Sequence, residues 1–346
     1  MKQPIKVLLA DDSGFMRLLV SDLLKSDKDL EVVATATNGK DAAEKTILHK
    51  PHVVVMDMNM GQYDGLYGIR QIMQESPTPI VILSAVGNTD FPQIEKALKL
   101  GAVDYVNKPA QNNTKVRDIE QELLQKIKAA ATANIDLSKT FDEARPNSAP
   151  HTFLNLNYDV VVIGSSTGGP GAVENLIKHL PANMAVPVLI AQHMPSGFVP
   201  SFAARLNDLS PLDISMARRG DKLLPGRVLI APGSRNTVVK RNKDGEAEID
   251  FISRTFKEFN YPSVDGLMLS VAETFGNRAI GVILTGMGRD GGLGMKEIRE
   301  KGGYTIAQSK ETCVVYGMPK EVIDNGNALA VVPINEIGGF IVSCLS

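Results

Sequence analysis

The sequence predicts an α/β protein of two domains, each built on a mostly parallel sheet, and three observations lead there. Short Val/Ile/Leu-rich runs alternate with amphipathic helical segments from residue 6 to 133 and again from residue 159 onward. That is the pattern of strands buried on both faces by crossover helices. The periodicity fails between residues 129 and 157, where Ala-Arg-Pro-Asn-Ser-Ala-Pro at 144–150 reads as a linker. At 346 residues the chain is also too long for one ordinary domain. The expected division is 1–128, a linker at 129–156, and 157–346.

In the first domain the strand candidates are 6–10, 31–37, 53–56, 80–84 and 103–107, each a compact apolar run. Helical periodicity fills the gaps at 15–24, 40–48, 66–73, 92–100 and 116–130. Five βα units in about 130 residues is the size of a flavodoxin-like, doubly wound fold. In the second domain the strand candidates are 159–163, 186–191, 228–231, 279–284 and 304–307, with helices at 172–179, 198–207, 264–275 and 292–301. Asn242-Lys243-Asp244-Gly245 reads as a hairpin turn inside a more polar, antiparallel insertion.

Composition narrows the function. Hydrophobic residues make up 43% and charged residues 22%, which excludes wholesale disorder. Residues 1–150 hold 18 basic and 20 acidic side chains, and 151–346 hold 19 and 19, so neither half carries the basic footprint of a nucleic-acid-binding module. No apolar run approaches the ~20 residues that cross a bilayer, and residues 1–6 lead into a strand without an apolar leader region, so the cytoplasm is the expected location. Cys313 and Cys344 cannot make a disulfide framework or a Cys-rich metal site.

Ligands of an open parallel sheet bind outside the carboxyl ends of its strands. In the first domain those ends carry Asp11-Asp12, Asp57, Ser84 and Lys108. Three carboxylates on one edge repel unless a cation sits among them, and hard oxygen ligands suit Mg²⁺. Lys108 and the Ser84 hydroxyl could hold the oxygens of a phosphoryl group on its way to a carboxylate. This constellation, with Lys108-Pro109, resembles the receiver domain of two-component response regulators over residues 1 to about 125. The resemblance implies that Asp57 is the phosphoacceptor, that Asp11 and Asp12 bind Mg²⁺ with the backbone carbonyl of Asn59, and that the Tyr105 rotamer follows phosphorylation. One departure is Gly61, where the family pattern has Pro, which loosens the loop after the acceptor. His49 and His52 flank Pro51 and read as surface residues.

Two glycine-rich segments compete for the chemistry of the second domain. Gly164-Ser165-Ser166-Thr167-Gly168-Gly169 fits G-x-S-x-G, a strand-to-helix turn that exposes a serine, with Ser166 at its centre and glycines that permit a strained backbone. It is not a phosphate-binding loop, because Pro170-Gly171 replaces the required Lys and Ser/Thr. A Gly/Ser turn before a helix is also common without catalysis. Gly286-Met287-Gly288-Arg289-Asp290-Gly291 is formally G-x-G-x-x-G, with Glu311 as a possible ribose ligand, which leaves a nicotinamide oxidoreductase open. His193 directly follows the strand at 186–191, whereas His179 lies on a helix face and His151 in the linker. Ser166, His193 and Asp290 together supply nucleophile, base and orienting carboxylate.

Here a second resemblance is specific. Gly-x-Ser-Thr-Gly-Gly at 164–169, Gln-His-Met-Pro at 192–195, Pro-Ser-Val-Asp at 262–265, Leu-Thr-Gly-Met-Gly-x-Asp-Gly at 284–291 and Val-Tyr-Gly-Met-Pro at 315–319 are similar to the chemotaxis protein-glutamate methylesterases. Tyr261 departs from the Arg expected before Pro-Ser-Val-Asp. The resemblance implies a phosphorylation-regulated hydrolase that removes methyl esters from glutamates of chemoreceptor cytoplasmic helices and deamidates receptor glutamines. It also implies the Ser166, His193, Asp290 triad, an oxyanion hole from the backbone N–H groups of Thr167 and Met287, a histidine kinase as phosphodonor, and no cofactor for hydrolysis. Nucleic acid and direct membrane insertion are not expected. The rival from another class is a response regulator whose second domain only binds a partner.

Overall fold

The apolar runs of the first domain become a five-stranded parallel sheet in which Val7–Ala10, Val53–Met56 and Ile80–Leu83 are wholly buried. The structure is a computed structural model that describes residues 3–84, 91–108, 116–135, 158–257 and 261–346, in two compact units, Met1–Lys139 and Thr140–Ser346. The linker expectation from residue 136 onward, with His151 and the segment 144–150, lies outside the described residues, as does Pro109.

The first unit runs β1 (Ile5–Ala10), α1 (Gly14–Lys25), β2 (Leu30–Ala36), α2 (Gly39–His49), β3 (Val53–Asp57), α3 (Gly65–Glu75), β4 (Ile80–Ser84), α4 (Phe91–Lys99), β5 (Asp104–Asn107) and α5 (Val116–Ala130). The strand order β2-β1-β3-β4-β5 is the doubly wound one, with its reversal between β1 and β3. Side-chain caps start the helices where the sequence places Ser, Asn or Asp: Ser13 accepts from the Met16 N–H, Asn38 from Asp41 and Asp64 from Tyr67. Ala129 and Ala130, where the expected helix 116–130 and the expected linker overlap, are the buried last residues of α5. Gly61 has φ +71°, a conformation closed to proline, so the departure at this position changes the loop's path as well as its stiffness.

The second unit runs β6 (Val160–Ser165), α6 (Gly169–Lys178), β7 (Val188–Gln192), α7 (Val199–Leu209), β8 (Asp213–Met216), β9 (Arg227–Ile230), β10 (Asn236–Arg241), β11 (Ala247–Ile252), α8 (Val264–Phe275), β12 (Ala279–Ile283), α9 (Gly292–Glu300), β13 (Tyr304–Gln308), α10 (Met318–Asp324), β14 (Ala330–Val332) and α11 (Ile334–Leu345). Its seven-stranded sheet has the order β14-β13-β12-β6-β7-β9-β8, every pairing parallel. The chain first builds outward from β6 through β7, then returns to lay β12 on the other side of β6, so the order reverses there. The hairpin around Asn242–Gly245 is present as β10 and β11, paired antiparallel with each other outside the main sheet. Sequence periodicity missed β8, β14, α10 and α11. The two strands are short and lie at the sheet edges, and α11 contains a Gly-Gly pair that weakens a helical reading. Tertiary packing explains one of those glycines: a Cβ on Gly338 would meet His179 Cβ at 2.6 Å, so α11 sits against α6 only because that side chain is absent.

Two candidate sites at the reversals of strand order

In the first unit, β1 delivers Asp11 and Asp12, and β3 ends on Asp57, on the two sides of the reversal. Their carboxylate oxygens all lie within 4.8 Å of one another, with Asp11 and Asp57 buried and Asp12 exposed. Lys108 Nζ bridges the buried pair, 2.8 Å from Asp11 Oδ2 and 2.8 Å from Asp57 Oδ2. The lysine is steered there from β5, its N–H donating to the Ser84 carbonyl at 2.7 Å. Burial pushes the Asp57 carboxyl above its ordinary range, outweighing Lys108 and the backbone N–H of Asn59. Burial alone would lower Lys108, but Asp11 and Asp57 overcome it and raise it. An all-oxygen cluster of this tightness fits a hard divalent cation. Gly65 allows the close approach of α3, since a Cβ there would lie 2.4 Å from the Asp57 carbonyl oxygen. Ser84 is fully buried. Tyr105 is buried too, which raises its phenol well above the usual value, and Lys126 Nζ stands 5.2 Å above the ring. His49 and His52 are exposed, as expected.

In the second unit, Ser166 follows β6, His193 follows β7, and Met287 and Asp290 follow β12, around the reversal at β6. Alternation along β6 separates the two serines. Ser165 is fully buried and its hydroxyl donates to Gln192 Oε1 at 2.6 Å, whereas Ser166 turns to the edge and is 8% exposed. The left-handed residue of this turn is the flanking Gly168, φ +74°, a conformation that glycine permits. The Ser166 N–H donates to the Thr285 carbonyl at 3.1 Å, and a Cβ on Gly286 would lie 2.8 Å from Ser166 Cβ, which seats the Met287 loop directly against the serine. Thr167 is buried on the serine's other side, its carbonyl accepting from Thr285 Oγ1 at 3.0 Å.

The His193 ring is 2.8 Å from Asp290 through Nε2 and Oδ2. Asp290 is 2% exposed, and its remaining capacity is met by the N-terminus of α8: Val264 N–H donates to Oδ2 at 2.7 Å, and Asp265 N–H and Ser263 Oγ donate to Oδ1 at 2.9 and 3.3 Å. These donors fix the direction in which the carboxylate faces, and they sit at the positive end of the helix. Ser166 Oγ makes no hydrogen bond among the described residues. Such bonds often close only when substrate is bound.

Sequence reasoning gave Gln192 no role. Its buried amide accepts from Ser165 Oγ and donates from Nε2 to the carbonyls of Ser166 and His193, both at 3.0 Å, tying the two loops together. Its place in the quoted Gln-His-Met-Pro segment was the available signal. The dinucleotide reading fails on geometry: a pyrophosphate needs the open N-terminus of α9, but the Gly294 N–H there is taken at 2.8 Å by the Asp265 carboxylate. Cys313 and Cys344 are buried, and burial raises both thiols, Cys344 to about 12, so neither is a nucleophile.

A doubly wound unit with an acidic edge, followed by a parallel-sheet unit with serine, histidine and aspartate at its strand reversal, is the plan of a receiver-coupled α/β hydrolase. The chain belongs to the CheB methylesterase family: residues 161–341 match the family described as CheB methylesterase, and residues 7–120 match the response regulator receiver domain. It is 38% identical to the protein-glutamate methylesterase/protein-glutamine glutaminase of Desulfitobacterium hafniense, with 99% of this chain and 98% of that protein covered. A protein of the same description from Archaeoglobus fulgidus is 39% identical over 99% of this chain and 98% of its own length. The crystal structure of the Thermotoga maritima CheB methylesterase catalytic domain is 40% identical and covers 54% of this chain and 98% of that one, with a TM-score of 0.51. Among the described residues no helix is long and apolar enough to cross a membrane.

Proposed function

We propose that the chain is a phosphorylation-regulated protein-glutamate methylesterase and protein-glutamine glutaminase acting on the cytoplasmic helices of chemoreceptors. The observation that carries the reading is the 2.8 Å pair of His193 and Asp290, with His193 on a loop that Gln192 ties to the one bearing Ser166. Asp290 faces Nε2, so Nδ1 is the nitrogen that takes the Ser166 proton as Oγ attacks the ester or amide carbonyl. The backbone N–H groups of Thr167 and Met287, on loops packed against Ser166, receive the developing oxyanion. His193 returns the proton to the departing methanol or ammonia, and water then releases the glutamate carboxylate from the acyl-enzyme. The partner-binding rival makes no use of the Ser166 hydroxyl.

The receiver domain implies phosphorylation as the input. In this reading Asp57 is the phosphoacceptor, a histidine kinase is the donor, and the cluster of Asp11, Asp12 and Asp57 with the Asn59 carbonyl holds Mg²⁺, which supplies charge neutralisation for phosphoryl transfer when bound. Lys108 exchanges its carboxylate partners for a phosphoryl oxygen, Ser84 holds a second, and Tyr105 follows. A cytoplasmic location accords with such substrates. The test is methanol release from methylated receptor membranes by the full chain, with and without a small-molecule phosphodonor. Release that persists undiminished in Ser166→Ala overturns the hydrolytic reading.

A further inference from the structure

Asp265 has no role in the reaction as described, yet it is 2% exposed, a carboxylate buried beside another carboxylate. Asp290 stands immediately ahead of α9 and caps α8. Asp265 stands in the first turn of α8, and its Oδ1 accepts from the Gly294 N–H of α9 at 2.8 Å. The N-cap of α9 is Gly291, which brings no side-chain cap of its own. The two helices therefore exchange caps through adjacent carboxylates, and the turn that aims Asp290 at His193 is clamped from both sides. The helices are close enough for this because Gly294 lacks a side chain: a Cβ there would meet Met268 Cβ at 2.3 Å.

We propose that Asp265 is a positioning residue for hydrolysis, holding the Asp290 turn by capping α9 and bearing electrostatically on His193 through Asp290. This rests on the reading of Ser166, His193 and Asp290 as the reacting set. The charged group facing Asp265 from the turn before α9 is Asp290, with His193 beyond it on the loop after β7. On the outer side of the same turn, Arg289 pairs with Glu321 of α10 at 3.5 Å. Burial, then the neighbouring Asp290 charge, pushes the Asp265 carboxyl up to about 7, so it titrates in the range where a histidine base does.

The experiment compares full-chain wild type, Asp265→Asn and Asp265→Ala by kcat, KM and pH profile on methylated receptor membranes, with a thermal melt of each. Asparagine keeps an acceptor for the Gly294 N–H but removes the charge. Its kcat at the optimum should stay within about tenfold of wild type, and the acidic limb of kcat/KM should move to lower pH, because the coupled carboxylate no longer favours the imidazolium. Alanine removes the acceptor as well, so kcat should fall roughly 100-fold with KM little changed, as expected for misplacement of a reacting group. An acidic limb that stays in place in Asp265→Asn, a kcat within twofold of wild type in a folded Asp265→Ala, or losses carried by KM would each overturn the proposal. If Asp265→Ala does not melt cooperatively, the Asp265→Asn limb decides alone. Ser166→Ala serves as the control: full activity there shows that the underlying reading has failed, independently of Asp265.

Discussion

Asp57 and Asp290 stand in the same topological place in their two units, at the carboxyl end of a strand beside a reversal of strand order, and both are 2% exposed. Asp57 is compensated by a side chain, Lys108, which it shares with Asp11, and the cluster remains open through exposed Asp12. Asp290 is compensated by the N-terminal N–H groups of α8, by the Ser263 hydroxyl at the head of that helix, and by a single imidazole. A mobile ammonium can be displaced by an incoming phosphoryl group, whereas a helix terminus cannot be displaced by anything. On the proposed function, the same position serves a reactive carboxylate in one unit and a fixed, orienting one in the other, and what neutralises the charge makes the difference.

The largest effect should come from removing the reactive carboxylate. Asp57→Asn should abolish labelling by acetyl phosphate, since an amide cannot form an acyl phosphate, while hydrolysis without phosphodonor persists; a labelled variant would mean that the acceptor lies elsewhere. EDTA should block labelling of the wild type, and labelling that survives it would break the assignment of the acidic cluster to a divalent cation.

Next come the two serines and the fixed carboxylate. Ser166→Ala should lower kcat by about 10⁴-fold or more in methanol-release assays. Ser165→Ala should keep most activity and lose about 1 kcal/mol of stability, the worth of its bond to Gln192. The reverse pattern would shift the nucleophile by one residue. Asp290→Asn should cost roughly 10³–10⁴-fold in kcat through the wrong imidazole tautomer. If its loss were no greater than that of Lys108→Ala, assayed without phosphodonor, the contrast between fixed and displaceable compensation would not hold.

The smallest effect is on stability. The folded-state pKa of Asp265, about 7, lies above the ordinary carboxylate value of 3.8, so between those pH values the folded chain keeps a proton that the unfolded chain has released. Its contribution to stability is therefore largest at low pH and is lost as pH rises through that window. The melting temperature of the second unit should fall more steeply from pH 5 to pH 8 in wild type than in Asp265→Asn. Parallel curves would show that Asp265 ionises as a solvated carboxylate does.

Much of this was legible in the chain before it folded. Val/Ile/Leu runs spaced by amphipathic segments can be satisfied only by parallel strands under helices, and the residues at the ends of those runs, Asp11, Asp57 and Lys108 in one domain and Ser166, His193 and Asp290 in the other, are the ones found on the two edges. The hairpin at Asn242–Gly245 was legible because its turn chemistry is local. β8 and α11 were not, because a short edge strand and a Gly-containing helix are stabilised by neighbours instead of by their own periodicity. Only the tertiary structure decided that β12 returns to lie against β6, far from it in sequence, and so brings Asp290 to His193. Only the exchange of caps between α8 and α9 gave Asp265 its place, and only the packing of the loops after β6 and β7 gave Gln192 its bonds, since a buried polar group finds its partner through packing.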